Sequence, residues 1–250
     1  MAPIPKKVHL IWLGDKSKFK FDLESLDKFM PNYEVKVWGM NDFDWDELEK
    51  IHYVRAMKKS QSWAFLSDYL RAKILYEEGG VYLDCDMKLL KNMEGAFSGR
   101  NLVLAFENTT TISMGICGAK PGHKFFRDLK SIYESFKGGR PIMGNVIWDH
   151  VAKREMNIKI NGRYQEDIKW VIYEFRRFSL MYPRCRTWKR DYQYALHQHK
   201  VSWVPHKFQI MFKFLIAFTQ KITIVNRLYG LVLIWPKKEM KKNYKIKKKK

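Results

Sequence analysis

The stretch that most constrains this chain runs from Trp63 to Leu90, WAFLSDYLRAKILYEEGGVYLDCDMKLL. Apolar Phe65, Leu66, Tyr69, Leu70, Ile74 and Leu75 recur at three- and four-residue spacing, which predicts a helix. Ser67, Asp68 and Arg71 then share a face, because residues three or four apart are neighbours on a helix. Asp68 and Arg71 are either site residues or an exposed ion pair worth about 0.2–0.5 kcal/mol. Gly79 and Gly80 end the helix and turn the chain. Val81, Tyr82 and Leu83 are β-prone and apolar and predict a short buried strand. That strand runs into Asp84-Cys85-Asp86. Carboxylates two residues apart leave a strand on the same side. There they can meet one hard cation through oxygen ligands, and such a cation can bridge a diphosphate.

An Asp-x-Asp pair is weak evidence by itself, and the chain holds two more, Asp42/Asp44 and Asp44/Asp46, within NDFDWDELEK. That segment faintly suggests a calcium loop, but Glu47 stands where such a loop needs Gly and Tyr53 where it needs Glu. A solvated turn leading into a helix is the expectation there. The third pair differs in context, with a buried strand before it and an Asp/Arg helix before that. On spacing alone, a strand ending in a polar turn stays open.

Upstream, the apolar run VHLIWLG within Ile4 to Gly14 predicts a first strand, residues Phe21 to Met30 a helix, and the alternating residues Tyr33 to Trp38 a second strand. With the central helix and strand added, the order is β-α-β-α-β. This favours an α/β sandwich with a mostly parallel central sheet. Ligands of such sheets sit at the carboxyl ends of the strands, where Trp12 and Asp84/Asp86 fall. Leu102 to Phe106 and Ile112 to Ala119 predict further strands, and Lys124 to Phe136 and Pro141 to Val151 further helices. His9 reads as a core histidine.

The 250 residues suffice for one sizeable domain, and 46% hydrophobic residues support a packed core. We expect a domain over 1–204 and an appendage over 205–250. The net charge of +21 calls for an anionic partner. From Val204 onward there are thirteen Lys or Arg and one Glu, so most of that charge sits in the appendage. Residues Phe208 to Trp235 are largely apolar, interrupted by Lys213, Lys221 and Arg227 and followed by a lysine-rich tail. This pattern suits an amphipathic helix in an anionic membrane surface. A helical cover on the domain's own core, or a tail that binds nucleic acid, stays open. No helix-turn-helix, zinc-finger or RNP-like motif accompanies the basic residues, so nucleic acid is not the expected partner. No apolar run reaches the roughly 20 residues of a membrane span, and the N-terminus lacks a signal-peptide core. Cys85, Cys117 and Cys185 form neither a disulfide framework nor a metal pattern, as in a reducing compartment. The expected location is the cytoplasm, at the inner face of a membrane.

SDYLRAKILYEEGGVYLDCDM resembles the central motif of the DXD-containing sugar transferases, a group that includes Golgi α-mannosyltransferases, bacterial capsule and lipopolysaccharide transferases and clostridial glucosylating toxins. The elements of that motif are present without gaps: a Ser-Asp helix with Arg three residues after the Asp, then Gly-Gly, a short strand and Asp-x-Asp. The opening IPKKVHLIWLG, the segment Phe106-Glu107-Asn108 and the block YALHQHKVSW are similar to further parts of the family. The resemblance implies a GT-A-like, Rossmann-like sandwich that binds a nucleotide sugar, with UDP the expected nucleotide. It implies Mn²⁺ or Mg²⁺ held by Asp86 with Asp84, Asp84 reaching the ribose, and Asp68 and Arg71 binding donor-sugar hydroxyls beside Ser67. Arg71 would also stabilise the diphosphate. Trp12 would stack on the base; packing of its indole in the core is the alternative.

The match is incomplete in two places. Met114 stands where relatives often carry an Asn that faces the donor sugar, which bears on the donor's identity. In the final block, His197 aligns with the family's first His, Gln198 replaces the second, and His199 stands in place of Trp. His197 is thereby either a metal or phosphate contact or a core or surface histidine. Ser202 and Trp203 match the pair that in relatives closes over the diphosphate. The implied reaction is metal-dependent sugar transfer, with retention of anomeric configuration, to a glycan or lipid-linked saccharide, as in capsule or lipopolysaccharide synthesis. A catalytically silent glycan- or nucleotide-binding module, or a basic nucleic-acid-binding protein, is the alternative.

Overall fold

The computed structural model describes residues 3–15, 17, 19, 21–137, 143–178 and 193–198. Its strands are β1 (Lys7–Ile11), β2 (Glu34–Trp38), β3 (Gly80–Leu83), β4 (Met87–Leu89), β5 (Leu102–Asn108), β6 (Thr111–Ile112), β7 (Ile116–Ala119), β8 (Gln165–Glu166), β9 (Trp170–Tyr173) and β10 (Ala195–His197). Its helices are α1 (Leu23–Phe29), α2 (Trp45–Leu48), α3 (His52–Lys59), α4 (Trp63–Glu77), α5 (Glu94–Phe97), α6 (Lys124–Ser135), α7 (Gly144–Met156) and α8 (Phe175–Phe178). The central sheet has the order β2-β1-β3-β7-β5-β9-β8, with β6 added on β5. Strands β2, β1 and β3 are parallel, as are β5 and β9; β7 runs against both β3 and β5. The sheet is mostly parallel, as the order of elements predicts, and β4 and β10 form a separate antiparallel pair.

Both faces of the sheet are buried, and successive residues of a strand serve different cores. In β5, Leu102, Leu104 and Phe106 join the cluster that holds Tyr69 of α4, Phe126 of α6 and Trp148 of α7. Val103 and Ala105 join the opposite cluster, with Leu26 of α1 and Phe97 of α5. The result is a helix–sheet–helix sandwich.

The turn from α4 into β3 needs its glycines. Gly79 and Gly80 have φ of +67° and +94°, where side chains are strained. A Cβ on Gly80 would also lie 2.8 Å from both His9 Nε2 and the Lys7 carbonyl oxygen. His9 is buried between the two parts of this turn. Trp38 Nε1–H donates to His9 Nδ1 at 3.1 Å, so Nε2 carries the ring proton and donates to the Gly79 carbonyl at 2.8 Å. Burial lowers the pKa of the imidazole, consistent with this neutral form. His9 is a core histidine, as expected.

The acidic run at Asp42 to Asp46 also resolves as the sequence predicts. Asp42 accepts from the Gly39 amide at 2.7 Å, and Asp44 caps α2 by accepting from the Glu47 amide at 3.2 Å. One expected strand is corrected: Ile112 to Ala119 is not continuous. It breaks over Ser113, Met114 and Gly115 into β6 and β7. The Ser113 amide turns back to the Ala105 carbonyl at 2.8 Å, and the Gly115 carbonyl accepts from the Asp84 amide at 2.8 Å. Helix α1 starts at Leu23, because Asp22 caps it by accepting from the Ser25 amide. Among the described residues no helix is long and apolar enough to cross a membrane. Cys185, His199, Ser202, Trp203 and the segment 205–250 lie outside the described residues.

Candidate metal and donor site

The site is built at the carboxyl end of β3. After Leu83 the chain folds tightly, with the Met87 amide bonded to the Asp84 carbonyl at 3.0 Å, and continues into β4. Strand β10 pairs antiparallel with β4, placing His197 opposite Met87. The Gln198 amide donates to the Asp86 carbonyl at 3.0 Å and fixes that register. His197 is thus laid against the Asp84-Cys85-Asp86 turn from far along the chain. Its Nε2 lies 3.2 Å from Asp86 Oδ1 and 3.8 Å from Asp84 Oδ2. One ligand atom from each of Asp84, Asp86 and His197 falls within 4.8 Å of the others. Donor atoms that share an octahedral ion at ~2.1 Å lie about 3 Å apart when adjacent, so this set fits one divalent cation. The two carboxylates offer oxygen donors of the kind hard divalent ions take, and the imidazole adds one nitrogen donor. The imidazole side chain is 12% exposed. Burial works against charge on it, but Asp86 and Glu107 outweigh burial and hold its pKa well above the usual imidazole range.

Behind Asp84 lies a buried polar network. Arg71 is 2% exposed. Its guanidinium donates to Asp84 Oδ1 at 3.1 Å, to the Met114 carbonyl at 2.6 Å and to the Tyr82 hydroxyl at 3.2 Å. It also stacks over the Tyr82 ring at 4.1 Å and pairs with Asp68 Oδ1 at 3.5 Å. Tyr82 in turn donates its hydroxyl to Asp84 Oδ1 at 2.8 Å. Asp84 is therefore gripped on its Oδ1 edge, while Oδ2 faces His197. The Asp68–Arg71 pair is not an exposed surface pair: both side chains are under a tenth exposed. Burial pushes the Asp68 carboxyl up to about 7; Arg71 opposes the rise and Asp84 adds to it.

Ser67 is half-buried on the same helix and donates its hydroxyl to the Ala64 carbonyl. Trp12 follows β1 and is half-buried; its Nε1–H donates to the Asp15 carbonyl at 2.8 Å and its ring meets Phe19 edge-on. Cys85 Sγ reaches the Ile11 carbonyl at 3.4 Å, which ties the acidic turn to the end of β1 beside Trp12. Burial raises the Cys85 thiol to about 12, with Asp84 and Asp86 adding, so it remains a thiol at neutral pH. Of the expected site residues, Asp68, Arg71, Asp84, Asp86 and His197 come together, and Trp12 joins them at the same sheet end. Ser202 and Trp203 are outside the described residues.

Three further residues shape the site. Gly115 is one: a Cβ there would lie 3.0 Å from Asp84 Oδ2 and 3.1 Å from His197 Cε1. Gly115→Ala is therefore expected to push the two ligands apart and weaken Mn²⁺ binding about tenfold, the low end of losses when ligand orientation is disturbed. Calorimetric titration with Mn²⁺ checks this, and unchanged affinity would mean that the turn yields freely. Gly144 is the second. A Cβ on it would meet Met114 Sδ at 2.6 Å and Asp68 Oδ2 at 2.7 Å, so the start of α7 closes over the Asp68 side of the network. Met114 packs against the start of α7 beside Asp68. Glu107, the third, lies 3.6 Å from His197 Nδ1. The sequence signal for it was the Phe106-Glu107-Asn108 segment at the end of β5.

Residues 16–109 match a glycosyltransferase sugar-binding region containing a DXD motif. An alignment 137 positions long, covering 49% of this chain, is 28% identical to an uncharacterized glycosyltransferase, L373, of Acanthamoeba polyphaga mimivirus. The chain spans about half the length of that relative, 53%. Among solved structures, the PaToxG glycosyltransferase aligns over 62% of this chain and 71% of its own, at 16% identity and a TM-score of 0.48. A glycosyltransferase involved in the glycosylation of the major capsid of PBCV-1 aligns over 82% and 97%, at 9% identity and a TM-score of 0.38. The acidic turn, its helix and its glycine turn all lie inside residues 16–109, the part of this chain that matches the glycosyltransferase sugar-binding region containing a DXD motif.

Proposed function

We propose that the protein is a divalent-metal-dependent glycosyltransferase that moves a sugar from a nucleotide diphosphate sugar, with UDP the expected nucleotide, to a hydroxyl of a glycan or lipid-linked saccharide. The observation that carries this reading is the convergence of Asp84, Asp86 and His197 at the carboxyl end of β3. Breaking the anomeric bond leaves a diphosphate with developing negative charge, and a bound Mn²⁺ or Mg²⁺ supplies Lewis-acid neutralisation of it. Asp86 and Asp84 offer carboxylate oxygens and His197 an imidazole nitrogen. Arg71 and Tyr82 fix the Asp84 carboxylate from behind, so that its ligand oxygen is positioned before substrate arrives. Asp68, buried beside Arg71, presents its second oxygen toward Gly144 and Met114, where donor-sugar hydroxyls would be held. Retention of configuration, a part in capsule or lipopolysaccharide synthesis and attachment to an anionic membrane through residues 205–250 belong to the same proposal. Support for the attachment comes from the apolar and polybasic pattern of that segment.

The direct test is incubation with a panel of nucleotide sugars, with Mn²⁺ and with EDTA. Slow release of free nucleotide diphosphate from one donor, lost in EDTA, is expected. Absence of hydrolysis and of transfer with every donor would contradict the reading. Trp12 gives a second check. If its indole meets the base, Trp12→Ala weakens UDP binding by roughly 1–3 kcal/mol. Unchanged UDP affinity with a lower melting temperature would instead assign Trp12 to the core.

A further inference from the structure

Strands β5 and β6 pair with a shift of register. Phe106 opposes Ile112 and Asn108 opposes Thr111, so Glu107 is an extra residue on β5. Such a bulge releases a side chain from the strand's alternation and re-aims it. Glu107 is half-buried and held from two sides. Ser113 Oγ–H donates to Glu107 Oε2 at 2.6 Å. Ser113 is itself buried and anchored: its amide bonds the Ala105 carbonyl at 2.8 Å, and its hydroxyl oxygen accepts from the Gly115 amide at 3.3 Å. The other carboxylate oxygen, Oε1, lies 3.6 Å from His197 Nδ1. Asp86 and Asp84 face the opposite nitrogen, Nε2, at 3.2 and 3.8 Å.

We propose that Glu107 is a positioning residue for the metal site, orienting the His197 ring from its Nδ1 side so that Nε2 stays directed at Asp84 and Asp86, where a cation would bind. A neutral imidazole has one donor and one acceptor nitrogen, and the partner at one nitrogen decides which form is present. Carboxylates face both nitrogens of His197; a cation held by Asp84 and Asp86 would take the place of the proton at Nε2, and the Glu107 carboxylate, which accepts but cannot donate when ionised, would keep the proton at Nδ1. Carboxylates placed behind ligating histidines orient the ring and raise its basicity. The break between β6 and β7 serves the same end: Ser113 fixes Glu107, and Gly115 leaves room for His197 and Asp84. This proposal rests on the reading of Asp84, Asp86 and His197 as a cation site.

The experiment is a titration of the full chain with Mn²⁺, following the signal of free ion by electron paramagnetic resonance, for the wild type, Glu107→Ala, Glu107→Gln and Ser113→Ala. Thermal melting of each protein is recorded alongside. The wild type is expected to bind one ion. Glu107→Ala is expected to bind it roughly 10–100-fold more weakly. Glu107→Gln keeps an acceptor oxygen of the same shape and is expected to recover part of that loss. Ser113→Ala, which frees the carboxylate from its anchor, is expected to show a smaller loss. A purely structural Glu107 would lower the melting temperature and leave the Mn²⁺ affinity of all three variants unchanged; that result overturns the proposal. If Glu107→Ala does not fold, Glu107→Gln decides, since any loss of affinity there supports the proposal and unchanged affinity defeats it. A wild type that binds no Mn²⁺ would overturn the cation site itself and Glu107's part in it, an outcome distinct from equal binding by wild type and variants.

Discussion

Asp86→Ala is expected to abolish turnover, by about 10³-fold or more, while the protein stays folded. On the proposed function Asp86 is a ligand to an ion that would supply several kcal/mol of charge stabilisation, and the substitution removes it. Folding survives because Asp86 is partly exposed at a strand end and belongs to neither apolar core. Asp44→Ala is the matched control. It removes the cap of α2 at a cost of about 1 kcal/mol and is expected to leave turnover intact. Steady-state rates on the preferred donor, with circular dichroism of both variants, make the comparison. Equal losses from the two substitutions would show that the acidic turn after β3 is not the one that matters.

Arg71→Ala is expected to have the largest effect on stability. Its guanidinium joins Asp68, Asp84, Tyr82 and the Met114 carbonyl inside the protein. Removing one partner of a buried ion pair leaves an uncompensated charge, at a cost of about 3–5 kcal/mol. In a domain of this size that corresponds to a fall in melting temperature of roughly 6–20 °C. Adding Asp68→Asn to Arg71→Ala removes a buried carboxyl that without Arg71 has to take up a proton, and should restore part of the loss. Thermal denaturation of the two proteins checks both statements. A fall of less than about 1 kcal/mol in the single variant, or no recovery in the double, would mean that the network is solvated and contributes little.

The centre of the fold was legible because its signals are local. The apolar spacing of α4, the paired glycines and the β-prone run of β3 each follow from short-range sterics, and Asp44 caps its helix through its own neighbours. The surroundings of Asp68 and Arg71 were less legible. Helical spacing shows that the two share a face, but α4 is apolar around most of its circumference, so spacing does not tell which face is covered. The break between β6 and β7 depends on what packs against it. Read alone, Ile112 to Ala119 is a plausible strand; Asp84 and His197, close to the Cβ that Gly115 lacks, account for the interruption. Glu107 is placed by a register shift between strands, which a single sequence does not encode in any local pattern. His197 reaches the acidic turn only because β10 pairs with β4, more than a hundred residues away in the chain. Its alignment with a family histidine named it as a candidate; the strand pairing supplied its position.

The most direct test of the cation site is a crystal structure of the protein grown with Mn²⁺ and UDP, read by the anomalous scattering of manganese. The expected result is one strong anomalous peak coordinated by Asp84, Asp86 and His197 at the end of β3, with the diphosphate of UDP completing its shell. A peak at Asp42, Asp44 and Asp46 instead, or bound UDP with no manganese between it and Asp86, would contradict it.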